Sequence, residues 1–127
     1  MGNSYKTVDE VPVFVKSHNL VLLVYKITKN FPRSEIFGLV SQLRRSASSI
    51  PANITEGFYR KSTRELIHFL YNARGSVGET MYHLRLAWDL GYIEDKDYQN
   101  LEQSYADVVK QLNGWIKSLR SKIVKND

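Results

Sequence analysis

Helical proteins often build metal centres from Glu-x-x-His pairs, so the residues able to do chemistry start with Glu65-Leu66-Ile67-His68. That spacing puts a carboxylate and an imidazole on one helical face. A di-iron bundle site needs this motif on two helices and a further glutamate from each of two others. The chain has no second Glu-x-x-His; Glu79 and His83 stand four residues apart, and His18 is isolated. The ligand count falls short, so no metal and no cofactor is expected, and His68 and His83 read as interfacial or partly exposed aromatics. Nucleophilic chemistry has as little to work with. There is no cysteine, no Gly-x-Ser-x-Gly and no phosphate-cradling glycine loop. Ser46, Ser48 and Ser49 read as small residues beside Pro51. Glu56 and Glu79 could pair as hydrolase carboxylates, but nothing in the sequence makes them converge, and arginines lie near both. No catalytic residue is assigned, and the chain is not expected to be an enzyme.

The cations offer more. Net charge is +5 across 127 residues, and it is unevenly placed. Residues 33–85 carry eight basic residues against four acids, and residues 86–109 carry only Lys96 against six acids. Lys110 to Lys125 then holds five cations and no acid. Such asymmetry suits a polyanionic partner, although basic helix ends are also ordinary on soluble proteins. Two groups are candidates for contact with RNA or DNA: Arg60, Lys61 and Arg64, and Lys117, Arg120 and Lys122 with the tail to Lys125. Phe58 and Tyr59 stand beside the first group, available to stack on bases.

Four helices would have to position these residues. The first, over 13–29, carries Leu20, Leu23, Val24 and Ile27 as its apolar stripe and stops at Asn30-Phe31-Pro32. The second, over 34–58, has Ser34 as its cap. It shows two stripes, one apolar (Val40, Leu43, Ala47, Ile50, Ile54) and one polar (Gln42, Arg45, Ser49, Asn53, Glu56). The polar row is either a solvated face or a surface that pairs with another helix or another subunit. Pro51 predicts a kink near Ala47–Pro51, with the neighbouring serine hydroxyls helping to satisfy the freed carbonyl. The third helix, over 63–90, opens on the capping box Ser62-Thr63-Arg64-Glu65 and stops at Gly91. Gly75 and Gly78 in its middle predict close approach of another helix, because interior glycine costs about 1 kcal/mol relative to alanine. The fourth, over 95–123, keeps near-heptad spacing from Leu101 to Ile123. No strand-like alternation, repeat or linker interrupts the pattern. The expected fold is all-α, one antiparallel up-and-down four-helix bundle spanning 1–127. The longest apolar run, Leu20–Tyr25, is far short of the ~20 residues that cross a bilayer, so no membrane contact is expected. The amino-terminal stretch does not read as a secretory signal, and a cytoplasmic location is expected.

Ser41–Gly57 (SQLRRSASSIPANITEG), followed by ARGSVGE and LGYI, resembles the four-helix-bundle family associated with intervening sequences in bacterial 23S ribosomal RNA genes. The likeness runs from Val13 to Leu119. It departs at Tyr59, where the family's pattern after Glu56-Gly57 has glycine, which puts the turn there in question. The resemblance implies a bundle from a family with no established enzymatic activity. It also implies similarity to the accessory protein of diversity-generating retroelements, a basic pentamer that works with nucleic acid. It implies further that Arg45, Asn53, Glu56, Arg74 and Glu79 form a polar network, with Glu56 meeting Arg74 and Arg44 or Arg45 approaching Glu79. If those pairs are buried, removing Arg74 should disturb folding or assembly. The expected molecule is a homo-oligomer, a pentamer by resemblance, that binds nucleic acid or a nucleoprotein. Its rival is a structural adaptor that binds a protein partner and never touches RNA.

Overall fold

The computed structural model describes residues 5–126, with side chains as far as Ile123; the side chain of Lys125 lies outside the described residues. Four helices account for most of the chain: α1 (Pro12–Thr28), α2 (Ser41–Phe58), α3 (Thr63–Asp89) and α4 (Asp95–Asn126). Among the described residues there is no strand. Each helix packs against its neighbours in the order α1–α2–α3–α4–α1, with the broadest contact between α2 and α3. That cycle leaves α1 and α3 on opposite corners of an antiparallel up-and-down bundle, the expected all-α fold.

The ends follow local chemistry. Pro12 occupies the first turn of α1, where its missing amide costs nothing. Ser62 caps α3: its Oγ accepts the Glu65 amide at 3.1 Å and donates to Glu65 Oε2 at 3.0 Å. At the other end of α3, Gly91 takes φ +81°, while the Tyr92 amide reaches the Ala87 carbonyl and the Gly91 amide the Trp88 carbonyl, both at 2.9 Å. This is a glycine-dependent helix stop of the Schellman type. Beyond it, the Trp88 indole donates to Asp95 at 2.7 Å and stacks on Tyr98 with centroids 4.2 Å apart, folding α4 back along α3.

The core runs the length of the bundle. Leu43, Ile50 and Ile54 from α2 meet Leu70, Ala73 and Val77 from α3 and Tyr105, Val108 and Leu112 from α4, all fully buried. α1 contributes Leu20, Val21 and Val24. Leu23, expected in this stripe, is instead 39% exposed, and Leu22 beside it is 57% exposed. The buried arc of α1 is centred on Val21 and Val24, which turns both leucines toward solvent.

Two expectations for the second helix are corrected. Regular α-helix begins at Ser41 rather than at 34. Residues Arg33–Glu35 form a 3-10 turn and Ile36–Val40 a π turn, with Gly38 at φ −110°, ψ −109°. Glu35, not Ser34, is the cap: its Oε1 accepts the Leu39 amide at 3.2 Å, and its Oε2 accepts the Tyr92 hydroxyl at 3.0 Å. The non-helical residue Gly38 interrupts this stretch within 36–40, and α2 carries the buried Pro51 inside one helix. The serine hydroxyls do not serve the Ala47 carbonyl. Ser46 bonds the Leu43 carbonyl, Ser48 the Arg44 carbonyl, and Ser49 the hydroxyl of Ser76. A helical hydroxyl reaches back three or four residues, so only positions 50 and 51 could serve Ala47, and neither carries one.

A polar seam and a basic end as the candidate nucleic-acid interface

The polar row of α2 faces α3. At its inner edge, Thr80 Oγ1 lies 2.9 Å from Ser46 Oγ and 2.8 Å from the Ser76 carbonyl, with Ser46 and Thr80 both fully buried. One turn outward, the Ser49 and Ser76 hydroxyls meet at 2.9 Å, and Asn53 Nδ2 donates to the Ser49 carbonyl and hydroxyl at 2.8 and 3.0 Å. At the solvent edge, Arg45 bonds both Glu79 and Gln42. His83 Nε2 lies 3.4 Å from the same Glu79 oxygen. Burial pushes the Glu79 carboxyl up, but hydrogen bonds from Arg45 and His83 outweigh it and hold the group below its ordinary range. Arg45 and Glu79 therefore meet as expected. Their side chains are 56% and 39% exposed, so the pair sets register along the α2–α3 seam without the desolvation of a buried ion pair.

Glu56 and Arg74 do not meet. Glu56 pairs with Arg60 at 2.8 Å, one turn further along the chain. Arg74 lies on the α4 side of α3, where it donates to Asn113 at 2.9 Å and covers the Tyr71 ring at 4.8 Å. Glu56 takes the partner that helical i,i+4 geometry supplies, and Arg74 takes the one that α4 brings to it.

The two cation groups, distant in sequence, share one end of the bundle. Arg120 Nη1 donates to the Tyr71 hydroxyl at 2.8 Å, so the last turns of α4 lie alongside the first turns of α3. Lys117, Arg120 and Lys122 are thereby set on the same end as Arg60, Lys61 and Arg64. Not all of this charge is available. Arg60 is held by Glu56 and by Glu65 at 3.7 Å, and it stacks over Phe69 at 4.9 Å. Tyr59 is 61% exposed, while Phe58 packs on the core. The Tyr59 hydroxyl accepts the Val8 amide at 3.3 Å. Tyr59 has φ −93°, ψ 7°, so this turn needs no glycine.

Glu65 and His68 are not assembled into a metal site. Glu65 is taken by Ser62 and Arg60, and His68 lies edge-on to Phe69. Among the described residues no three of His, Asp and Glu converge.

The sequence profile of the 23S rRNA-intervening sequence proteins matches residues 9–114. The chain belongs to that family. No curated protein matches it. The chain is similar to a crystal structure from Bacteroides thetaiotaomicron VPI-5482, described as a protein with unknown function from the S23 ribosomal protein family. The TM-score is 0.78 at 28% identity, covering 87% of this chain and 99% of that one. The family match accords with the resemblance read from Ser41–Gly57 and leaves the activity open. Among the described residues, no helix is long and apolar enough to cross a membrane.

The fold assembles one further cluster that no sequence motif marks. Between the end of α1 and the start of α2, Lys29, Arg33, Arg44 and Arg45 line a single cleft beside Phe37, which is 95% exposed. The signal was present as cations on both sides of Ile36-Phe37-Gly38, but a continuous helix from residue 34 scatters them.

Proposed function

We propose that the chain is a non-enzymatic, homo-oligomeric accessory protein of the cytoplasm that binds RNA or DNA through its basic end. One observation carries the nucleic-acid reading: the Arg120–Tyr71 bond sets the last turns of α4 beside α3, so a cation group from the middle of the sequence and one from its last part share one end of the bundle. Lys61 and Lys117 have no ion pair there among the described residues. Arg60 contributes less, because Glu56 and Glu65 already answer its charge. Support for an oligomer comes from two faces on opposite corners. On α3, Gly75 and Gly78 are exposed, with open space where a Cβ would stand. On α1, Val15 and Leu22 are apolar and 41% and 57% exposed. Two distinct faces on one subunit are what a head-to-tail ring uses, and a ring of five agrees with the resemblance.

Fluorescence anisotropy with a mixed-sequence RNA and a duplex DNA, at about 50 to 200 mM salt, tests the reading. Binding should weaken steeply, with a log–log slope near −0.9 per neutralised phosphate on duplex and near −0.7 on single strands. Charge reversal at Lys61, Arg64, Lys117 and Lys122 should flatten that slope without altering the oligomer. No retention of either nucleic acid at the low-salt end would leave the protein-binding adaptor as the function.

A further inference from the structure

We infer that the cleft between the end of α1 and the π turn is a binding site for single-stranded nucleic acid, with phosphates on Lys29, Arg33 and Arg44 and one unpaired base on Phe37. The inference rests on the nucleic-acid reading above and names a second contact, on the side of the bundle remote from the basic end.

The cleft encloses about 700 Å³. Its charged lining is Lys29, Arg33, Arg44 and Arg45, with no carboxylate among its walls. Arg45 is engaged by Glu79 and Gln42. Arg44 is held in place: Nε donates to Thr28 Oγ1 at 2.9 Å, Nη2 donates to the Tyr25 carbonyl at 3.3 Å, and the guanidinium lies 4.5 Å over the Tyr25 ring. Those contacts leave Nη1 to donate to an incoming oxygen, and a fixed guanidinium loses little freedom when it does so. The side chains of Lys29 and Arg33 make no ion pair or hydrogen bond among the described residues. The one acid of the connection, Glu35, accepts from the Leu39 amide and the Tyr92 hydroxyl and forms no ion pair with either cation among the described residues.

Phe37 supplies the second element. A phenyl ring 95% exposed on an ordered turn costs solvation and adds nothing to this chain's core. Its position is not a loose end. The π turn that carries it is clamped by Glu35 to Tyr92, and Phe31 packs against the Tyr92 ring with centroids 5.4 Å apart. Gly38, next in the chain, has the non-helical angles φ −110° and ψ −109°, so the helix is broken beside the ring. An exposed ring beside a cationic groove is the arrangement that binds single strands: backbone phosphates follow the charge, and a base with an open face stacks on the ring. In a duplex the bases are already stacked, so this element would contribute nothing. A contact between copies across a two-fold axis would set the same cations against each other, which disfavours self-association through this cleft.

The test compares a mixed-sequence single-stranded RNA with a duplex DNA of equal length by anisotropy, at about 50 mM salt. Phe37→Ala should weaken single-strand binding by about 5- to 150-fold, the range for losing one base–aromatic stack, and leave the duplex unchanged. Phe37→Trp should restore it. Arg33→Ala should reduce the single-strand salt slope by about 0.7. Far-UV circular dichroism and sedimentation of each variant should match the parent. A Phe37→Ala variant that still binds single strands normally, while charge reversals at the basic end abolish binding, overturns the cleft and leaves the broader reading intact. A fall in oligomer size on Phe37→Ala makes Phe37 a contact between copies and also overturns the site. If the parent protein binds neither probe, the nucleic-acid reading and the cleft fall together.

Discussion

Gly57, near the end of α2, and the pair Gly75 and Gly78, midway along α3, stand in opposite surroundings. A Cβ on Gly57 would meet Phe69 Cβ at 2.8 Å and Leu66 Cδ1 at 3.0 Å. Phe69 Cβ is fixed to the α3 backbone, so nothing flexible can give way, and the absence of a side chain is what lets α2 close on α3. At Gly75 and Gly78 the same construction meets nothing within 4 Å. The close helix approach expected at Gly75 and Gly78 is therefore not made within this chain. One glycine position is explained by packing inside the subunit, and the other two are not.

The largest effect should come from filling that outer face. Leucine at both Gly75 and Gly78 should leave the helical circular dichroism intact, because the single chain has room for both side chains. In sedimentation equilibrium it should reduce the assembly toward the 14.7 kDa subunit. An unchanged assembly would place the subunit contact elsewhere and end the comparison on that side.

Next comes the inner position. Gly57→Ala should destabilise the fold by about 1–3 kcal/mol, the usual cost of overpacking, read as a lower urea midpoint at constant m-value. A neutral result would mean that α2 and α3 can separate by a few tenths of an ångström without loss.

Arg74→Ala should do less, under about 1 kcal/mol, because its partners Asn113 and Tyr71 are neutral and Arg74 is exposed. That replaces the large penalty expected had Arg74 formed a buried pair with Glu56. A loss of several kcal/mol in the urea midpoint would show that assembly buries it.

The smallest effect concerns pH at the solvent edge of the seam. Glu79 is held below its ordinary 4.5 in the folded chain. Its contribution to stability is therefore present above that value and fades as pH falls below 4.5 and through the lowered folded value. Exposure keeps it slight. Thermal melts from pH 6 to about pH 3 on the parent and Glu79→Gln should converge at the acid end, and parallel curves would deny Glu79 the role.

How much of this could be read in advance follows the range of the forces involved. Local signals transferred well: Ser62 and Gly91 bound α3 as their chemistry dictates, and Arg45 meets Glu79 because two antiparallel helices fix which turns face each other. Part of what failed depended on groups far away in sequence. Ile36, Leu39 and Val40 keep helical spacing, so a continuous helix from 34 fits them, whereas the chain breaks at Gly38 and Tyr92 holds Glu35 beside it. The Glu56–Arg74 pairing overlooked that Arg60 sits one turn from Glu56 and that α4 brings Asn113 to Arg74. At the basic end, residue types alone located the cations but not the carboxylates that silence Arg60.

The Glu35–Tyr92 bond has a consequence for motion. It ties the connection between α1 and α2 to the turn between α3 and α4, the two crossings at that end of the bundle. Neither can fray alone without exposing the other's polar partner, so the two should breathe as one cooperative unit. Amide protons at Leu39 and Tyr92, although more than fifty residues apart, should then exchange with solvent at matching rates and share a single opening free energy.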